Sequence, residues 1–231
     1  YIGQVIHAGA KAVVCEHIPV EIHAGVCYVE VPDSSEALGI ISSNFYDNPS
    51  GSLTLVGITG TNGKTTIATL LYKLFLGLGY KAGLLSTVRN MINLREVPST
   101  HTTPDAVELN RLLGAMVDEG CDYCFMEVSS HSIVQNRVAG VTFKGAVFTN
   151  LTHDHLDFHK TFDAYLAAKK RLFDTLPTGA FALVNIDDRN GKVMVQNSKA
   201  TVKTLALKSQ ADFHCRIIEN HFEGLLLKIN G

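Results

Sequence analysis

Leu53-Thr54-Leu55-Val56-Gly57-Ile58-Thr59-Gly60-Thr61-Asn62-Gly63-Lys64-Thr65-Thr66 is the stretch that decides how the rest of the chain is read. An apolar run, a glycine-rich turn and a helix-compatible stretch from Thr66 to Leu78 follow one another. That order, strand then loop then helix, is the order of a phosphate-binding loop. Glycines let backbone N–H groups turn inward around an anion, and the helix N-terminus adds partial positive charge. In such a loop Lys64 reaches the β- and γ-phosphates and the Thr65 hydroxyl ligates a magnesium ion. The spacing departs from G-x-x-x-x-G-K-[ST]: Ile58 stands where the first glycine belongs, and the nearest glycines are Gly57 and Gly60. The loop predicts a nucleoside triphosphate as ligand. By itself it does not separate kinases, GTPases, motors and ligases.

Bulk properties narrow the classes. The chain has 231 residues, enough for one large or two small domains, and 46 % hydrophobic residues suit a packed core. Net charge is −2 with no basic stripe, so nucleic acid is not an expected partner. Lys73 and Lys81 interrupt the longest apolar candidate and no secretory signal pattern is present, so no membrane association is expected. Five cysteines, odd in number and unevenly spread, predict a reducing, cytoplasmic compartment. Cys121-x-x-Cys124 is read as two core cysteines, because Cys124 falls within the apolar run Tyr123 to Val128 and no second pair exists. The first residue is Tyr1, not Met, which is read as a trimmed piece of a longer protein.

Along the chain, Ala12 to Cys15 and Val26 to Val31 read as strands and Ser34 to Phe45 as a helix capped by Asp33 or Ser34. Asn48-Pro49-Ser50-Gly51 reads as a linker and a domain boundary. Residues 1–47 are too few for a whole domain and look like the tail of a smaller α/β domain. Beyond the linker, strands are expected at Leu53–Ile58, Ala82–Ser86, Tyr123–Val128, Ala146–Thr149 and Ala180–Asn185. Helices are expected at Thr66–Leu78, Ala106–Glu119 and Phe162–Leu176. This alternation predicts an α/β fold with a mostly parallel, doubly wound sheet, closed by a small antiparallel part over Asp212 to Ile229. Ligands then bind at the carboxyl ends of the strands, where the polar clusters fall.

Glu127 ends one apolar strand, where a carboxylate reaches a magnesium held at the phosphate loop. Thr149-Asn150-Leu151-Thr152-His153-Asp154-His155-Leu156-Asp157-Phe158-His159 is dense in ligand-type groups. Zinc suits its imidazoles, but magnesium through one of the histidines is the more economical reading beside a triphosphate loop. Lys169, in Ala167-Ala168-Lys169-Lys170-Arg171, reads from composition as a solvated helix charge. Thr102-Thr103-Pro104-Asp105 reads as a helix start with Thr103 as cap and Pro104 first. The residues alone lead to a magnesium-dependent enzyme of ATP or GTP.

Taken in order, Gly60-Thr61-Asn62-Gly63-Lys64-Thr65-Thr66, Thr102-Thr103-Pro104, Glu127-Val128-Ser129-Ser130-His131, Thr149-Asn150-Leu151, Asp154-His155-Leu156-Asp157, Ala167-Ala168-Lys169 and Asn185-x-Asp187-Asp188 resemble the Mur ligases of peptidoglycan synthesis. The resemblance runs over nearly the whole chain and favours the branch that adds the third amino acid. It implies an ATP-dependent amide ligase joining a diamino acid, taken as meso-diaminopimelate rather than L-lysine, to UDP-MurNAc-L-Ala-D-Glu through an acyl phosphate. It implies that residues 1–47 end a UDP-sugar-binding domain, that residues 48–231 form most of the ATP-binding domain, and that a third, amino-acid-binding domain is absent. A monomer is expected.

The resemblance also implies site residues. ATP is bound by Gly60, Thr61, Asn62, Gly63, Lys64, Thr65 and Thr66, with Asn185 at the adenine. Magnesium is held by Thr65 and Glu127, and a second magnesium by His155 and by Lys169 as a carbamate, which reverses the solvated reading of that lysine. Lys64, His155 and Lys169 serve catalysis. The muramoyl peptide meets Thr102, Thr103, Ser129, Gln135 and Arg137. One departure is His131-Ser132-Ile133, where the family commonly has His-Gly-Leu. Two other functions compete: a folylpolyglutamate synthetase-like ligase, and a nucleotide-binding switch protein. The second lacks the guanine-reading Asn-Lys-x-Asp segment, which the chain does not contain.

Overall fold

The computed structural model describes residues 1–99, 101–152, 154, 156–222 and 224–231, apart from the side chain of Leu156. Its strands are β1 (Ala12–Cys15), β2 (Cys27–Glu30), β3 (Thr54–Thr59), β4 (Ala82–Leu85), β5 (Asn90–Ile92), β6 (Arg95–Val97), β7 (Tyr123–Glu127), β8 (Gly145–Phe148), β9 (Phe181–Asn185), β10 (Thr201–Ala206), β11 (Phe213–His221) and β12 (Gly224–Asn230). The helices are α1 (Ile2–His7), α2 (Ser34–Phe45), α3 (Lys64–Gly77), α4 (Ala106–Asp118), α5 (Ser130–Val134), α6 (Leu156–His159), α7 (Phe162–Asp174) and α8 (Gly191–Met194), with a 3₁₀ turn at Pro49–Gly51. None of the described helices is long and apolar enough to cross a membrane.

β3 to β12 build one sheet in the order β12-β11-β10-β9-β8-β3-β7-β4-β5-β6. From β4 through to β11 the neighbours are parallel, and antiparallel strands occur at both ends, in β5 and β6 and in β12. β3 is central, with β7 on one side and β8 on the other. Its residues alternate between two apolar layers. Leu55 belongs to the layer that includes Leu109, Leu112 and Met116 of α4 and Phe173 of α7, whereas Val56 and Ile58 belong to the layer of Ala68 and Tyr72 of α3. Each fully buried Leu or Ile in these layers stabilises the fold by roughly 1.5–3 kcal/mol. Both faces of the sheet are thus covered, which is why β3 and β4 read as continuous apolar runs.

The register sets the working edge. Ile58 faces Glu127, Thr59 faces Phe148, and Phe148 faces Val184, so β3, β7, β8 and β9 end together. The chain runs from β3 to strands on one side before returning to β8 on the other. Such a reversal leaves a crevice at the carboxyl ends of the two strands.

Several elements differ from expectation. α3 begins at Lys64, two residues before the expected start, because Gly63 takes φ +88° as its N-cap. α4 is capped by Asp105, whose carboxylate accepts from the N–H groups of Val107 and Glu108 at 3.0 Å each. Thr103 is not the cap, because its hydroxyl is bonded to Glu127 O at 2.9 Å. The β5–β6 hairpin and β10 carry little apolar alternation and were not expected. Asp33 does cap α2, accepting from Glu36 N–H at 2.9 Å. Cys121 and Cys124 are both buried, and burial raises both thiols above their ordinary range. β1 and β2 form a separate two-stranded parallel sheet. α2 packs on the larger unit: Ser43 Oγ donates to Gly140 O at 3.0 Å, and Asn136 Nδ2 to Asp33 Oδ2 at 2.9 Å.

Candidate active site

The loop after β3 is fastened to the segment after β8. Thr61 N–H donates to Asn150 O at 2.8 Å, and Asn62 N–H to Asn150 Oδ1 at 3.0 Å. In return Thr149 Oγ1 and Asn150 Nδ2 donate to Asn62 O at 2.7 and 3.1 Å. Gly60 has φ +141°, and a Cβ there would run into Thr149 Oγ1 and lie 2.9 Å from Asn150 O. Glycine is required at this position both by backbone angle and by the close approach of the second segment.

Two lysines meet at this loop. Lys64 Nζ donates to Gly60 O at 3.0 Å and Thr61 O at 2.8 Å. Burial holds its ammonium below the ordinary lysine range, while Glu127 and Asp154 pull it back up. Lys169 is 1 % exposed. Its Nζ donates to Gly60 O at 2.8 Å and lies 4.7 Å from the centre of the Tyr165 ring. Burial, then the nearby charge of Lys64, push it down to about 7, against an upward pull from Asp154. The solvated reading of Lys169 from composition therefore fails: the apolar stripe of α7 carries Tyr165, Leu172 and Phe173 inward, and Lys169 lies on that same side. Lys170 is not fully solvated either: its side chain is mostly covered and is paired with Asp174 at 2.5 Å.

On the β7 side, Glu127 is buried and accepts at Oε1 from Thr87 N–H at 2.7 Å and at Oε2 from the Thr87 hydroxyl at 3.2 Å. The Thr87 and Thr102 hydroxyls are 3.0 Å apart. Thr103 Oγ1 accepts from Ser129 N–H at 3.2 Å, and Thr103 O accepts from Arg137 Nη1 at 2.9 Å. Gln135 Oε1 accepts from Arg137 Nε at 2.8 Å, so two contacts aim the guanidinium. Ser129 caps α5 through Ser132 N–H at 3.1 Å. A cavity of about 340 Å³ brings Lys64, Thr65, Glu127, Thr102, Ser129 and Arg137 to one wall-to-wall space, together with Thr87, His101, Thr103 and His131.

On the β8 side lies a second cavity of about 490 Å³, bounded by Asn62 and Gly63 of the loop, Ile67 of α3, Asn185 and Asp187 after β9, and Leu205, Leu207 and Lys208 around the end of β10. Asn185 Nδ2 donates to Thr149 O at 2.8 Å and its Oδ1 accepts from Asp187 N–H at 3.0 Å. Gly60, Thr61, Thr66, Gln135 and Lys169 line neither cavity. His153 and His155 lie outside the described residues, so the metal and catalytic expectations on His155 have no structural counterpart here. His159 is buried, its Nε2 2.8 Å from Ser130 Oγ, and ties α6 to α5. Sequence reasoning missed Thr87 and Tyr165, whose hydroxyl is 3.1 Å from Thr61 Oγ1. Thr87 lies two residues past the end of β4, at the strand-end edge where ligands bind, but a lone threonine there carries no signal of its own in the sequence.

With this geometry in place, known proteins resolve the family. Residues 58–230 match the Mur ligase middle domain. The chain belongs to the Mur ligase family. Curated relatives include UDP-N-acetylmuramoyl-L-alanyl-D-glutamate–2,6-diaminopimelate ligases of Bacteroides fragilis, 56 % identical, and Bacteroides thetaiotaomicron, 57 % identical, each over 230 residues and 100 % of this chain. The chain spans about half the length of these relatives, 47 % and 48 %. A solved structure of a ligase with the same name superposes at a TM-score of 0.85 and 27 % identity, over 98 % of this chain and 47 % of that one. Escherichia coli FolC in complex with ADP superposes at 0.58 and 17 % identity over 83 % of this chain and 52 % of that one, a likeness of fold alone. The mostly parallel α/β sheet with antiparallel ends is therefore the Mur ligase architecture, as the sequence led one to expect.

Proposed function

We propose that this chain is the nucleotide-binding part of an ATP-dependent ligase that adds diaminopimelate to UDP-MurNAc-L-Ala-D-Glu. The observation that carries the reading is the single cavity joining Lys64 and Thr65 of the phosphate loop to Glu127, Thr102, Ser129 and Arg137. On this reading the phosphoryl donor and the carboxylate acceptor share that space. The activity named for relatives 55–57 % identical supports the substrate pair. On this reading residues 1–47 end the UDP-sugar domain and residues 48–231 are the ATP domain, in a cytoplasmic enzyme.

The reaction joins two anions, so charge neutralisation dominates the barrier. A glutamyl carboxylate oxygen attacks the γ-phosphorus and ADP leaves; the incoming amine then attacks the acyl carbon and phosphate leaves. Lys64 moves from its own loop carbonyls to the phosphates. Arg137, already aimed by Gln135 and Thr103 O, forks onto a substrate carboxylate. Magnesium fits the residues present: the Thr65 hydroxyl and Glu127 carboxylate are hard oxygen donors beside the loop and would hold the ion, which would supply positive charge to the phosphate oxygens. Lys169 suits carbamylation, because a buried amine held at about 7 is substantially neutral at physiological pH and so nucleophilic toward carbon dioxide. As a carbamate it would offer oxygen ligands for a second magnesium.

Phosphate release by the full-length protein tests the reading. ATP, magnesium and UDP-MurNAc-L-Ala-D-Glu are supplied with diaminopimelate or lysine in separate reactions. Release that requires the muramoyl peptide and diaminopimelate is expected. Release only with a folate and glutamate would replace the reading with the FolC-like one.

A further inference from the structure

Beyond the end of β10 the ladder stops: Leu205 is the last β10 residue paired with β9, facing Asn185. The connection to β11 then needs other partners for its backbone N–H groups. One side chain supplies them. Asp187 Oδ2 accepts from Leu207 N–H at 2.6 Å and from Lys208 N–H at 3.0 Å, and its Oδ1 from Ser209 N–H at 3.1 Å. These bonds, the one from Leu207 foremost, hold the Asp187 carboxyl below the ordinary range. Leu207 and Lys208 line the β8-side cavity together with Gly63 and Ile67.

The neighbouring carboxylate works in the other direction. Asp188 Oδ2 accepts from Leu151 N–H at 2.7 Å, one residue beyond the Asn150 that fastens the phosphate loop. The turn after β9 therefore links both walls of the cavity: Asn185 and Asp188 to the segment 149–151, and Asp187 to the segment 207–209. Fixed walls matter because a ligand that must order its own pocket loses that free energy from its affinity.

We propose that Asp187 is a positioning residue for nucleotide binding, fixing the Leu207–Ser209 turn as the outer wall of the base pocket without touching the reacting groups. The assignment rests on the ATP reading above. The same connection contains a built-in control. Asp212 also holds backbone, accepting from Thr204 N–H at 2.8 Å and the Thr204 hydroxyl at 2.6 Å, yet it does not line the cavity.

The test is equilibrium binding of ADP to the full-length protein by calorimetry, with UDP-MurNAc-L-Ala-D-Glu binding and melting temperature measured in parallel. In Asp187→Asn one acceptor oxygen becomes a donor amide facing N–H groups, and ADP affinity should fall about tenfold. Asp212→Asn should stay within about twofold of wild type, and muramoyl-peptide affinity should hold in both variants. Wild-type ADP affinity in Asp187→Asn overturns the proposal. So does an equal loss in Asp212→Asn, which would mark a general loosening of the connection. A wild-type protein that binds no adenine nucleotide overturns the ATP reading and the assignment together.

Discussion

The two sides of the phosphate loop are built differently. Toward β8 the loop's polar groups are largely spent on protein: Asn62, Thr149, Asn150 and Asn185 bond one another's backbone. Toward β7, Glu127, Thr102 and Arg137 face a cavity beside Lys64. The first side is a frame and the second a workplace. A frame resists change through folding and nucleotide affinity, whereas a workplace shows change in turnover. Lys169 sits at the junction, bonded to the frame at Gly60 O, and the proposed carbamate would give it a part in the workplace.

The sharpest way to break this division is Lys169→Ala. If the proposed ligase reading holds, turnover of the full-length protein should fall at least about 10³-fold, with partial rescue by short carboxylic acids, while the protein stays folded. Wild-type-like turnover in a phosphate-release assay would remove Lys169 from the workplace.

Gly60→Ala strikes the frame. It forces φ +141° on a residue with a Cβ and drives that Cβ against Thr149 Oγ1 and Asn150 O. Stability should drop by about 3 kcal/mol in urea denaturation, with nucleotide binding lost alongside.

A pH titration separates the two characters of Lys169. With its folded value near 7 and the ordinary value at 10.5, the unfolded chain holds a proton between these limits that the folded chain does not. In buffer free of carbon dioxide, stability should therefore rise with pH across that window by at most about 1.4 kcal/mol per unit, and flatten below about 7. The slope should vanish in Lys169→Met. A wild-type profile no steeper than that of the variant would show that the amine stays protonated.

The smallest effect belongs to Tyr165→Phe, which removes only the hydroxyl beside Thr61 Oγ1. A loss of about 1 kcal/mol is expected in the same denaturation experiment, with turnover at saturating ATP unchanged. A large loss of turnover would move Tyr165 from frame to workplace.

Much of this was legible in the chain. The apolar runs at β3, β4, β7, β8 and β9 stood out because both faces of a covered sheet demand apolar residues. β10 and the β5–β6 hairpin were hidden: Thr201-Val202-Lys203 is exposed and Asn90-Met91-Ile92 is too short to show a period. Glu127 and Lys64 were readable from their places at strand and loop ends. Thr87 was not, because a lone threonine after a strand has no distinctive composition.

The sequence by itself determined the layering, the phosphate loop and the family, since these rest on local periodicity, glycine placement and an ordered set of short motifs. Tertiary structure alone decided which polar groups remain available. Thr103 turned from a helix cap into a brace for Glu127 and Ser129, and Lys169 from a surface charge into a buried amine held near 7. The physical reason is that desolvation and hydrogen-bond pairing depend on neighbours far apart in sequence, such as Gly60 and Lys169, that only the packed sheet brings within 2.8 Å.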